Sequence, residues 1–183
     1  MSGEEVSLVQ AAQRLEPEAW NELYNQYYPR IYAFLLTRLR DAMQAEDLAA
    51  DVFISALRAI RSYEERGLGF SAWLFRVAQN RLTDHLRRSR LRASDNLDDW
   101  SERLSDDDAV SGASARADRM DVQRALDRLT VDQRQVIHLR FLDGMTSQEV
   151  ASVLGKSEAS VKITQHRALR AMKQLLSQEP TQS

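Results

Sequence analysis

The chain has 183 residues, a formal charge of −2 and no cysteine. That length gives room for one or two domains with modest cores, and the missing thiols exclude disulfides and thiolate metal sites and fit a reducing, cytoplasmic compartment. With only six glycines and three prolines, long runs of good helix formers, and no apolar run near the ~20 residues that cross a bilayer, the composition points to an all-α protein without membrane insertion.

The opening MSGEEVSLVQ is acidic and lacks the long apolar stretch of a signal peptide. A first block is expected over about residues 5–92. Pro17 suits a first helical turn and opens a helix with Trp20, Leu23, Tyr24, Tyr27, Ile31, Phe34, Leu35 and Leu39 at three- and four-residue spacing. A second helix starts near Asp41 and carries Leu48, Val52, Phe53, Ala56, Leu57 and Ile60. After a loop with Gly67 and Gly69, a third helix begins near Phe70 and carries Trp73, Leu74, Val77, Ala78, Leu82 and Leu86. Three amphipathic helices on short connections predict a bundle around one core.

Two surfaces of this block carry chemistry. The helix dipole accounts for Glu46 and Asp47 near the start of the second helix. Asp51 beside an exposed Phe53 or Ile54 would suit a partner presenting arginines next to an apolar patch. The third helix is aromatic at one end (Phe70, Trp73, Phe75) and basic at the other: residues 80–92 hold Arg81, Arg87, Arg88, Arg90 and Arg92 against Asp84, a net of +4. Such a helix can hold phosphates and stack an unpaired base. The alternative, which Trp73 favours, is that Phe70 and Trp73 are core and the arginines a solvated face, though five like charges in one short stretch repel each other without a polyanion.

From about 93 to 117 the periodicity stops. This stretch has a net charge of −5 and too little apolar area to offset the cost of ordering, so it is expected to be a flexible acidic linker. Leu97, Trp100 and Leu104 are spaced like a turn or two of a docking helix.

A second block is expected over about 118–176. Val122, Leu126 and Leu129 mark one helix, and Thr130 with Gln133 forms a capping box for the next, which Gly144 ends. Thr146 and Glu149 form another box. Val150, Ala151, Val153 and Leu154 follow, Gly155 can take the left-handed conformation that stops a helix, and Ser157 caps a last helix with Val161, Ala168, Leu169 and Met172. A short helix, a glycine turn and a second helix is the layout of a helix-turn-helix. Residues 156–173 have a net charge of +4 before His166 is counted, which favours duplex DNA binding over an ordinary helical hairpin. Residues 177–183 read as a disordered tail.

His85, His138 and His166 make no ligand pair on one helix. The sequence has no phosphate-binding glycine loop, nucleophile elbow or catalytic carboxylate pair. No enzyme, metal or cofactor is expected.

The order AEDLAADVF (45–53), FSAWLFRVAQNRLTDHLRR (70–88) and LDRLTVDQRQVIHLRFLDGMTSQEVASVLGKSEASVKITQHRALRAM (126–172) resembles the extracytoplasmic-function sigma factors of the sigma-70 family. The resemblance implies a sigma-2 domain (5–92), an acidic linker (93–117) and a sigma-4 domain (118–176). It implies a factor that carries core RNA polymerase to promoters and melts the −10 element, under control of an anti-sigma factor. Asp47, Asp51 and Phe53 would dock on the polymerase clamp helices. Phe70, Trp73, Arg76, Asn80, Arg81, Arg87 and Arg88 would serve the −10 element, with Asn80 lining a pocket for a flipped base. Ser160, Lys162, Ile163, His166, Arg167 and Arg170 would contact the −35 duplex. The linker would thread the polymerase active-site channel.

The chain departs from the family pattern at Ala50, usually Gln, and at Ile163-Thr164-Gln165, commonly Ser-Arg-Leu. An arginine is thus missing from the recognition face, and Gln165 holds a usually apolar position. Ile163 is placed to pack on a thymine methyl. The rival reading is a dimeric helix-turn-helix repressor or activator that binds a palindrome without polymerase.

Overall fold

The computed structural model describes residues 3–65, 67–95 and 122–177. In chain order these form α1 (Gly3–Gln13), α2 (Pro17–Leu39), α3 (Ala42–Ala59), a 3₁₀ turn (Ile60–Ser62) and α4 (Gly69–Asp95). Then come α5 (residues 122–127), α6 (Val131–Ile137), a π turn (His138–Leu142), α7 (Ser147–Leu154) and α8 (Glu158–Ser177). The chain divides into two compact units, one built on α1–α4 and the other on α5, α6, α8 and most of α7. The expected linker, its Leu97–Trp100–Leu104 segment and the tail after Ser177 lie outside the described residues. α4 runs to Asp95, slightly beyond the expected end of the first block at 92.

In the first unit, α2 packs on α3 and α3 on α4, and α1 lies along α2. Pro17 starts α2 as its spacing predicted, and Arg40, in the left-handed region, ends it with its N–H on the Leu36 carbonyl. Pro29 sits inside the continuous α2 on its exposed side, where water can take the carbonyl that proline leaves without a donor. The Asp41 side chain caps α3 by accepting from the Gln44 N–H at 3.0 Å. Small Ala45, Ala49 and Ala56 on α3 are fully buried and let it approach its neighbours closely. The core they line is filled by Leu23, Tyr27, Ile31, Phe34, Leu35, Leu74, Phe75 and Leu82. Arg30 lies over the Tyr27 and Phe75 rings at 5.0 and 5.7 Å, so its charge is held by π faces at the edge of this core. α1 was not foreseen as a helix. It carries only Val9 and Ala12 as buried residues.

The second unit is smaller and more polar inside. Leu129, Ile137 and Ala168 pack together with Leu126, Ala171 and Met172. Buried Arg134 donates to the carbonyls of Leu126, Asp127 and Leu129, at and just past the end of α5, where carbonyls run out of intrahelical donors; that of Leu126 also accepts from the Leu129 N–H at 3.1 Å. Both predicted capping boxes form, at Thr130–Gln133 and Thr146–Glu149. The expected continuous helix through Arg140 instead widens at His138: the Asp143 N–H reaches back to the His138 carbonyl, and His138 Nε2 lies 3.3 Å from the Asp143 carboxylate in a buried pair. Gly144, at φ +66°, then turns the chain into α7.

Candidate nucleic-acid interface

Trp73, Arg76, Asn80, Asp84 and Arg87 recur at three- and four-residue steps on α4 and so share one face. Fourteen residues of helix separate the first from the last, a span of about 21 Å. Arg76, Asn80 and Arg87 are exposed, Trp73 and Asp84 are half-buried, and Arg88 lies exposed at the flank. Arg81 is half-buried and sits off this row. The row is not purely basic. Asp84 pairs with Arg87 at 3.3 Å, and its backbone carbonyl accepts from Arg88 Nε at 3.3 Å.

The N-terminal end of the row grows out of an aromatic cluster. Phe70 meets Tyr27, Tyr63 and Trp73 with ring centroids 5.4, 5.7 and 5.3 Å apart, and only 1% of it is exposed. The assignment of Phe70 to DNA contact is therefore corrected: its ring is core and serves as the seat for Trp73. Trp73 also packs on Tyr63 at 5.1 Å and keeps part of its surface free. Burial raises the Tyr63 phenol above its ordinary range, and Glu65 beside it adds to the shift.

On α3, Asp47, Asp51 and Ile54 lie at helical spacing on the outer face, and all are exposed. Phe53 is not with them. Only 4% of it is exposed, because Trp20, Tyr24 and Tyr28 of α2 surround its ring at 6.3, 4.8 and 6.0 Å. The expected partner contact by Phe53 is thus corrected too. Ile54, 48% exposed, is the apolar residue beside the two aspartates.

In the second unit Gly155, at φ +63°, ends α7 and donates its N–H to the Ala151 carbonyl. Ser157 Oγ accepts from the Ser160 N–H at 3.2 Å and starts α8 as expected. Val161 and Ala168 are buried, which turns Lys162, Ile163, His166, Arg167, Arg170 and Lys173 outward; all six are exposed. Ser160 is half-buried at one edge of this face. Leu169, expected inside, is 42% exposed, because the apolar stripe of α8 is narrow and passes through Val161 and Ala168.

Four polar contacts hold this head, and sequence reading missed them. Lys156 pairs with Asp132, tying the glycine turn to the first turn of α6. Gln165 Oε1 accepts from Arg140 Nε at 3.0 Å, and Arg140 also donates to the Met145 carbonyl. This explains a polar residue at a usually apolar position: Gln165 anchors α8 to the π turn. Glu158 and Lys162 pair at 2.7 Å, a contact their four-residue spacing could have foretold.

No group of three or more metal-ligating side chains occurs among the described residues, and none of their helices is long and apolar enough to cross a membrane.

The family model of Sigma-70 region 2 matches residues 23–92, and that of Sigma-70 region 4 matches residues 119–172. The chain is 35% identical over 175 residues to the ECF RNA polymerase sigma factor BldN of Streptomyces coelicolor, covering 93% of this chain and 65% of BldN. It is 34% identical over 165 residues to the ECF RNA polymerase sigma factor SigX of Bacillus subtilis, covering 85% of this chain and 82% of SigX. Its fold is similar to that of the sigma factor RpoE solved in complex with the anti-sigma factor NepR from Bartonella quintana, with a TM-score of 0.74 and 25% identity over 87% of this chain and 98% of that one.

Proposed function

Because the chain belongs to the extracytoplasmic-function RNA polymerase sigma factors of the sigma-70 family, we propose that it binds core RNA polymerase in the cytoplasm, brings it to promoters and opens them there. The observation that carries this reading is the presence of two unlike exposed helix faces, each bearing basic residues, in two separate units. The α4 row starts at an aromatic cluster and suits an unpaired strand, whereas the α7–α8 pair suits a duplex. A repressor that reads a palindrome needs only the second.

The α3 face of Asp47, Asp51 and Ile54 docks on the polymerase clamp helices, its carboxylates meeting arginines and Ile54 an apolar patch. On α4, Asn80 hydrogen-bonds a base flipped from the −10 non-template strand while Trp73 closes one side of its pocket. Arg76, Arg87 and Arg88 hold the adjoining phosphates, and Arg81 supports them from the flank. Extruding a base costs a few kcal/mol, which the pocket and phosphate contacts offset. On α8, Lys162, Ile163 and His166 face the base edges of the −35 element, and Ser160, Arg167 and Arg170 contact phosphates. The acidic segment between the two units follows the channel in the polymerase that otherwise takes RNA. An anti-sigma factor, of the kind seen with RpoE, holds the chain inactive. The chemistry of RNA synthesis belongs to the polymerase.

Run-off transcription with purified core polymerase tests this. Promoter-specific transcripts are expected only when both proteins are present. Asp51→Arg should keep its helical content and lose both core binding and transcripts. Tight, specific DNA binding by the protein alone, with no transcript in the presence of core, would establish the repressor reading instead.

A further inference from the structure

We propose that α1 is a strap that sets the position of the loop before α4, and that Gln13 is the positioning residue through which it acts. The proposal rests on the reading of α4 as the −10 helix. α1 precedes residues 23–92, which the region 2 family model matches.

Gln13 is the last residue of α1. Its side-chain amide Nε2 donates to the carbonyl of Tyr63 at 2.7 Å and to that of Ile60 at 3.3 Å. Those two carbonyls belong to the ends of the 3₁₀ turn, which the Tyr63 N–H closes on Ile60 at 3.1 Å. One amide therefore pins the point where the chain leaves the α3 side and enters the loop. At the loop's far end, Glu65 Oε1 accepts from the N–H of Gly69 at 3.1 Å, and the same carboxylate receives the Tyr63 hydroxyl at 3.2 Å. Both ends are thus tied through Tyr63, whose ring is also the floor against which Trp73 packs.

α1 can act as an anchor because it is itself fixed on the bundle. Val9 and Ala12 are buried, and Glu5 accepts the hydroxyl of buried Tyr27. A line of contacts therefore runs from the core through α1, Gln13 and Tyr63 to Trp73, the first member of the exposed α4 row. A side chain that captures a flipped base must be held in place before the base arrives, or ordering it will consume binding energy. Gln13 touches none of the row itself. Its donors hold the backbone that carries Tyr63.

Gln13→Met keeps the shape of the side chain and removes both donors, and Gln13→Lys restores a donor of similar reach. Each full-length variant is assembled with core polymerase and titrated with a fluorescent single-stranded −10 non-template oligonucleotide. Core affinity, retention of a −35 duplex and thermal stability are measured on the same samples. Gln13→Met is expected to weaken oligonucleotide capture roughly tenfold, in keeping with the loss of a part-buried hydrogen-bond pair, while core affinity and duplex retention stay at wild-type values. Gln13→Lys should return capture to within about twofold of wild type. Unchanged capture in Gln13→Met overturns the strap. So does an equal fall in capture, core affinity and duplex retention, which is the mark of a general loss of folding. Failure of the wild-type protein itself to transcribe or to take up the oligonucleotide overturns the sigma-factor reading, and the strap falls with it.

Discussion

The two units each hold one long helix with an exposed, partly basic face, α4 and α8, by different means. In the first, α4 is held by large apolar side chains: Phe34 meets Phe75 edge-on at 5.5 Å, and Phe70 seats Trp73. In the second, the buried set includes Arg134, Gln135 and His138, and α8 is placed by capping boxes, Arg140–Gln165 and Lys156–Asp132. Apolar packing is non-directional and strong per residue, whereas hydrogen bonds fix direction at a net value of about 0.5–1.5 kcal/mol each. The larger bundle can therefore rely on volume. The smaller one, whose apolar core of residues such as Val136, Leu139, Val150 and Val161 holds no large aromatic ring, adds directional contacts to it.

Core truncation gives the largest expected effect. Phe34→Ala, at a fully buried position, should cost about 3–5 kcal/mol. Hydrogen exchange should then show amides of α2–α4 losing protection while those of α6 and α8 keep theirs. Equal loss in both units would mean one cooperative core, and the contrast drawn between them would be wrong. A polar deletion should do in the second unit what the phenylalanine does in the first. Arg134→Met keeps an apolar stem but leaves the carbonyls of Leu126, Asp127 and Leu129 without the guanidinium. The expected cost is about 2–3 kcal/mol, read as lost protection confined to residues 122–172. A neutral outcome would show that apolar contacts, not the arginine, hold α5 to α6.

What was legible in the sequence follows the same division. Signals that act within a few residues read correctly: Pro17, Asp41, the Thr130 and Thr146 boxes, Ser157 and the glycine turn at 155 all stand where their local chemistry places them. The outward face of α8 was legible too, because Val161 and Ala168 define the opposite side. The errors lie where a third helix decides. Phe53 follows Val52 and so points about 100° away from it; only the aromatic residues of α2 bring it inside. Phe70 looked like a stacking residue because the sequence does not say that Tyr27 and Tyr63 close over it. The shift from α-helix to π turn at His138, and the arginine that holds α5, depend on contacts between elements that no local pattern records. α1 was missed because it buries so little that its periodicity is faint.

The smallest expected effect tests whether the recognition face is set by directional contacts as finely as the second unit suggests. Lys162 Nζ lies 2.7 Å from Glu158 Oε1, with both side chains substantially exposed. Such a pair contributes at most about 1 kcal/mol, and Glu158 in the first turn of α8 also meets the helix dipole favourably. A base edge or a phosphate must draw Lys162 away from this carboxylate. Glu158→Gln should therefore tighten −35 duplex binding by roughly two- to fivefold at low ionic strength, and the gain should fade as salt screens the charges. The carboxylate also repels the DNA backbone directly, so the double variant Glu158→Gln/Lys162→Ala is needed to separate the two causes. If Glu158 acts through Lys162, its effect disappears when the lysine is gone. If it acts on the phosphates, the gain persists. Promoter-library transcription then assigns the lysine itself. Lys162→Ala should reorder the preferred −35 sequences by about 1–3 kcal/mol at one position, whereas Arg170→Ala should weaken all of them alike and reduce the slope of log K against log salt by about 1. A Lys162→Ala variant that scales every promoter down equally would make this lysine a phosphate anchor, and would leave Ile163 and His166 to carry the sequence preference of α8.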